Sequence, residues 1–134
     1  MNIEDVESTL PNGLHDAVLK KFEVDYEAKT ATFMFDVWVG DLNSKSEEIR
    51  EAYRSGVLTL HDLKYIIVDP PSAELIFNVE PFSLGTGNHD TQSIPSTKSL
   101  PPAPEGTFRQ WFFLYNIESF IHVCAAEAVF NYDT

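Results

Sequence analysis

The chain has 134 residues and 15.2 kDa, with 21 acidic against 9 basic side chains and a formal net charge of −12. A chain of this length buries about two-thirds of its surface in one core, and ten Phe, five Tyr and two Trp carry too much apolar surface for disorder, so one domain over 1–134 is expected. The single cysteine excludes an intrachain disulfide and a Cys-only zinc site, no run reaches the ~18 apolar residues of a membrane span, and the charge opposes binding to nucleic acid or an anionic membrane.

The opening Met1-Asn2-Ile3-Glu4-Asp5-Val6-Glu7 is acidic where a secretory signal is basic, which together with the lone cysteine points to the cytoplasm. Ile3, Val6 and Leu10 have helical spacing and precede a turn at Pro11-Asn12-Gly13. From Leu14 the even positions Leu14, Asp16, Val18, Lys20, Phe22, Val24 and Tyr26 predict a strand. Beyond Tyr26-Glu27-Ala28-Lys29, the odd positions Ala31, Phe33, Phe35, Val37 and Val39 predict its hairpin partner. Ser44-x-x-Glu47 has the form of a capping box, and Ile49, Ala52 and Tyr53 follow at helical spacing. A helix from Ser44 to Arg54 is expected, stopped by Gly56.

A further strand starts at Val57, and its change of phase at His61-Asp62 predicts a β-bulge. Asp69-Pro70-Pro71 breaks it, and Leu75-Ile76-Phe77-Asn78-Val79 resumes an extended run. Residues 81–107, rich in Pro, Gly, Ser and Thr, read as one long loop. Phe108 to Tyr115 suits a strand buried on both faces. Ser119 to Tyr132 fits two periods. Phe120, His122, Cys124, Ala126, Ala128, Phe130 and Tyr132 alternate as in a strand, whereas Ile117, Phe120, Ile121, Cys124 and Ala128 have helical spacing; strand is the favoured reading. The expected fold is α+β: an antiparallel sheet of about five to six strands, one short helix on a face and the long Pro-rich loop.

The Leu14-His15-Asp16-Ala17 strand with Val24-Asp25-Tyr26, the Leu58-Thr59-Leu60 strand, and Ser119-Phe120-Ile121 with Ala125-Ala126-Glu127-Ala128 together resemble a group of small uncharacterised bacterial proteins that open on a Leu-His-Asp-Ala strand. Some of these are grouped with the immunity proteins of polymorphic toxin systems. The resemblance covers both ends and part of the middle. It implies an intracellular protein that binds and neutralises a toxin domain, and it brings no functional residues with it.

Three histidines precede aspartate, at His15-Asp16, His61-Asp62 and His89-Asp90. Imidazole and carboxylate suit divalent metals, but neighbours on a strand point to opposite faces, so coincidence is favoured and no metal or cofactor is expected. Asp16 lies in phase with apolar positions, where a carboxylate is costly unless it is paired or its strand pairing starts later, at Val18. His122 and Cys124 share a strand face, although a small buried filler is the commoner role of a lone cysteine. Gly85-Thr86-Gly87-Asn88 lacks the lysine and following helix of a phosphate loop, and Ser93, Ser96 and Ser99 lie outside any nucleophile elbow. No catalytic residue is therefore assigned.

The leading expectation is a non-enzymatic, acidic, protein-binding module, immunity-like, that engages a basic effector. Met34, Trp38, Glu47, Glu48 and Glu51 are the candidate partner-binding residues, with the helix after Ser44 as the alternative cover for Met34 and Trp38. The second expectation is a small ligand-binding domain or enzyme with a pocket under the 81–107 loop, lined by His15, Asp16, His61 and His89. A third is self-association into a homo-oligomer through sheet edges.

Overall fold

The computed structural model describes residues 2–70, 82–88 and 100–133. The chain opens with helix α1 (Ile3–Thr9), where a capping box forms between Asn2 and Asp5: the Asp5 amide donates to Asn2 Oδ1 at 2.9 Å and the Asn2 amide to Asp5 Oδ2 at 3.0 Å. Ile3 and Val6 enter the core beside the strand that ends the chain. The turn at residues 11–16 follows, and pairing begins at Val18, so Asp16 lies outside the first strand. Its φ of 59° places it in the left-handed region that aspartate tolerates better than most residues.

Strands β1 (Val18–Asp25) and β2 (Thr30–Trp38) form the expected hairpin, with a register shift between Leu19 and Lys21. Alternation along β2 buries Ala31, Phe33, Phe35 and Val37, as its period of two requires. The predicted helix over 44–54 is corrected to a single turn, α2 (Glu47–Arg50), which starts after Ser46 and buries no residue. Tyr53 instead opens β3 (Tyr53–His61), paired with Trp38, and Gly56 is a mid-strand residue. The local helical signal lost to eight residue pairs of ladder with β2, because propensity is worth a few tenths of a kcal/mol per residue against a whole strand pairing. Gly56 is needed for another reason: a Cβ there would lie 2.3 Å from the Phe130 ring.

The phase change at His61-Asp62 is a corner, not a bulge. After Asp62, at φ 53°, the chain leaves the first sheet and enters the second as β4 (Tyr65–Val68). The loop reading of 81–107 is also corrected in part, since Leu84–Asn88 forms β5 against β6 (Phe108–Leu114). Gly85 and Gly87 gave β5 no alternating apolar pattern to read. Gly85 has its own packing role, as a Cβ there would meet the Tyr115 hydroxyl at 2.4 Å. In β6, Phe108, Gln110, Phe112 and Leu114 are buried while the residues between them are half-buried. The segment 119–132 is extended, as favoured, but divides at Ala126 into β7 (Ser119–Ala125) and β8 (Glu127–Tyr132). The expected strand at Leu75–Val79 lies outside the described residues.

The fold is α+β, dominated by antiparallel strands: eight among the described residues, in two four-stranded sheets ordered β1-β2-β3-β8 and β4-β7-β6-β5. The ribbon β3–β4 lies beside β8–β7 and carries both sheets around one corner, where Ala126 N–H donates to His61 O at 3.2 Å and Lys64 N–H to Cys124 O at 2.7 Å. On the far side, Leu19 N–H donates to Phe82 O and Leu84 N–H to Ala17 O, each at 3.0 Å, which ties the start of β1 to the start of β5. The core fills the space between: Phe112 of β6 lies 5.1 Å from Phe33 and 6.0 Å from Phe35, ring to ring across the two sheets. No helix among the described residues is long and apolar enough to cross a membrane.

Candidate functional site

The structure brings Trp38 and Glu51 of the partner-binding candidates to one cleft, together with Asp16 of the ligand-binding candidates, and holds His61 apart from it. Asp16, Trp38 and Glu51 come together with Leu42, Arg50 and Tyr53 around an open cleft of about 480 Å³ at one end of the first sheet. Trp38 is the last residue of β2. Its Nε1 donates to Arg50 O at 2.7 Å, and Val39 N–H to Ala52 O at 2.9 Å, so the segment 40–52 is strapped against the strand end. Asn12 Nδ2 donates to Trp38 O and Gly40 O at 3.1 and 2.9 Å and fixes the same corner from the N-terminal side. Gly40 is required at this strap, since a Cβ there would stand 1.9 Å from Arg50 O.

Around this strap, exposed apolar side chains stand among charged ones: Leu42 and Tyr53 line the cleft with Asp16, Arg50 and Glu51, and Ile49 is exposed on the adjacent α2. Leu42, Ile49 and Tyr53 are 70%, 53% and 47% exposed, three large apolar side chains near one corner of a small protein. Glu47 and Glu48 are exposed on α2, next in sequence to Ile49, and Glu51 follows it at the cleft. Arg50 is turned to the loop, donating from Nη1 to Ser44 O at 2.9 Å. Burial first, then the negative charges of Asp16 and Glu51, raise the pKa of the Tyr53 phenol. The Tyr53 hydroxyl donates to Asp16 O at 3.3 Å. Met34 stands four residues back on β2, half-buried and paired with Lys21 and Val57; α2 reaches Trp38 but begins beyond the end of that strand.

The ligand-binding candidates do not assemble. His15 Nε2 lies 3.2 Å from Asp16 Oδ2 at the surface, so that pair satisfies itself. Val18 is level with Asp36 and Ser55, whereas His61 ends β3 six residues further on, so the two His-Asp dipeptides sit roughly 20 Å apart along the strands. His89 lies outside the described residues, as do Ser93, Ser96 and Ser99. No group of three His, Cys, Asp or Glu side chains that could hold a metal occurs among the described residues. His122 and Cys124 are both fully buried and face different partners, His122 Nε2 lying 3.3 Å from Asp69 Oδ2 and Cys124 Sγ donating to Thr107 Oγ1 at 3.5 Å.

Leu42, Ile49 and Tyr53 are the site residues that sequence reasoning missed. Ile49 and Tyr53 have the spacing of a helix over 44–54, which gives no sign that both are exposed. Leu42, a lone apolar residue within Gly40-Asp41-Leu42-Asn43, was the one available signal. Compared with protein-family models, curated proteins and solved structures, the chain matches none of them.

Proposed function

We propose that the protein is a non-enzymatic binding module of the cytoplasm, immunity-like, that engages a basic protein through the corner built on Trp38. The observation that carries this reading is the exposure of Leu42, Ile49 and Tyr53 beside Asp16, Glu47, Glu48 and Glu51 in a chain of net charge −12. The exposed apolar side chains supply contact area, and the acidic ones beside them steer a basic partner and disfavour nucleic acid. The alternative of a pocket under the 81–107 loop lined by His15, Asp16, His61 and His89 is disfavoured, because the His15–Asp16 pair and His61 stand near opposite ends of the first sheet, while His89 lies outside the described residues. Self-association through strand edges is a distinct outcome, recognisable by a mass that rises with concentration.

The test is quantitative capture from host lysate at low and high salt, comparing the native protein with Glu47→Lys/Glu48→Lys/Glu51→Lys and with Tyr53→Ala. One basic protein is expected at equimolar yield, released by salt and reduced about tenfold in the triple variant, since three rim charges at about 0.5 kcal/mol each sum to about 1.5 kcal/mol. Capture that is indifferent to both salt and charge reversal would overturn the proposal.

A further inference from the structure

Glu7 lies half-buried on α1 between two neutral neighbours. On one side is Gly13, where a Cβ would stand 3.3 Å from Glu7 Oε2. On the other is Gln110 of β6, 1% exposed, whose Nε2 donates to Thr86 Oγ1 at 2.8 Å and more weakly to Glu7 Oε1 at 3.4 Å. The Gln110 Oε1 is buried without a hydrogen-bond partner, which costs free energy until some group donates to it. A carboxylate has no proton to give, so Glu7 cannot fill that role while it is charged. A neutral carboxyl can: one oxygen takes the Nε2–H, and the other gives its O–H to Oε1, a two-bond pair of acid and amide.

The turn after α1 carries Asn12, next to Gly13, and the Asn12 amide holds Trp38 O and Gly40 O at 3.1 and 2.9 Å. Through that side chain α1 and the Trp38 corner share one connection. We propose that Glu7 and Gln110 form a proton latch: when Glu7 takes a proton from solvent the acid–amide pair closes, α1 seats more firmly on β6, and Asn12 holds the strap of residues 40–52 more tightly. Burial of Glu7 and the negative charge of Glu4 beside it act in the same direction, since both favour the neutral carboxyl. Among the described residues its other neighbours Gly13, Thr86 and Gln110 are neutral, and β8, also packed on α1, turns Ala128 and Phe130 to the core and exposes Glu127. The latch concerns the same corner as the partner reading but stands without it, because its readouts involve no partner.

The experiment is NMR of the full chain between about pH 8 and about pH 5, reading amide hydrogen exchange corrected for its intrinsic pH dependence together with the Glu7 Cδ and Gln110 side-chain amide resonances. Protection of the Val6, Leu10 and Asp41 amides, bonded to Asn2 O, Glu7 O and Ile49 O, is expected to rise at least about threefold on acidification. The Ala28 amide, at the far hairpin turn and bonded to Asp25 Oδ1, should stay unchanged. The Glu7 and Gln110 resonances should move with one shared midpoint. Glu7→Gln, whose amide can make both bonds at any pH, should show the acid-side protection throughout the range and no midpoint. A Gln110 amide that ignores the Glu7 titration, protection independent of pH, an equal response in Glu7→Gln, or a response confined to α1 that leaves Asp41 unmoved would each overturn the latch.

Discussion

Glu7 is a carboxylate that folding draws out of water: it is half-buried on α1, with Gln110 Nε2 donating to its Oε1 at 3.4 Å across 103 residues of sequence. Burial first, then the negative charge of Glu4, raises its pKa above the ordinary 4.5. A raised acid pKa means the native state binds the proton more tightly than the unfolded chain. The resulting penalty is therefore present in full above the folded value and is relieved as the pH falls through it towards 4.5. Glu7→Gln, which keeps the acceptor and removes the charge, should be more stable than the native protein at pH 7, with the advantage shrinking as the pH approaches 4.5; urea denaturation across that range checks both points. The neighbouring Gln110 has its Oε1 buried without a hydrogen-bond partner among the described residues. In the sequence Glu7 lies on the stripe of Ile3, Val6 and Leu10, which Glu4 does not, but the partner that meets its carboxylate, Gln110 of β6, comes from a distant segment. Asp16 shows the converse. The costly reading and the bland one were both legible, and the backbone decided for a turn residue whose carboxylate meets His15 at the surface.

At the scale of elements, α2 is held by its connections and not by its own helical bonds. One turn of helix is unstable alone, since nucleation fixes several dihedrals for a single hydrogen bond. Here the Trp38 indole, the Val39–Ala52 bond and the Asp41–Ile49 bond at 3.3 Å do that work. Trp38→Phe keeps the ring and removes the 2.7 Å bond to Arg50 O, at an expected cost of about 1 kcal/mol. It should also accelerate hydrogen exchange at the Val39 and Asp41 amides while leaving the β2–β3 ladder protected. Unchanged exchange at those two amides would show that the strap does not depend on the indole. Gly40→Ala tests the same corner sterically: its Cβ would overlap Arg50 O, so overpacking of roughly 1–3 kcal/mol and displacement of α2 are expected, read as a drop in melting temperature. The short α1 and the β1–β2 hairpin were legible because their periodicity and caps agree with their surroundings. The helix over 44–54 was not, because Tyr53 pairs with Trp38, a partner fifteen residues upstream that no local window contains.

For the whole molecule, the decisive contact is between sheets. Phe112 is fully buried and touches Phe33 and Phe35, so one ring of the second sheet packs on two of the first. Phe112→Ala should cost about 3–5 kcal/mol, a large part of the ~5–15 kcal/mol by which domains are stable. The measurement is the urea midpoint, and a loss under about 1 kcal/mol would mean that the sheets are held chiefly by the corner at Asp62 and Ala126.

The sequence by itself determined the α+β class, the predominance of antiparallel strands, the buried face of β2 and the strand character of 108–114 and 119–132, because each rests on a period of two that backbone geometry imposes locally. It also determined the charge that frames the partner proposal. Tertiary structure decided that the strands form two sheets and not one, since a corner such as His61-Asp62 looks the same in sequence whether the chain bulges or changes sheet. Tertiary structure likewise turned Leu84–Asn88 into a strand, exposed Leu42, Ile49 and Tyr53 together, and kept His15 apart from His61. Each of these outcomes depends on which distant segment supplies the pairing partner, and a period read along one stretch of chain carries no information about that partner.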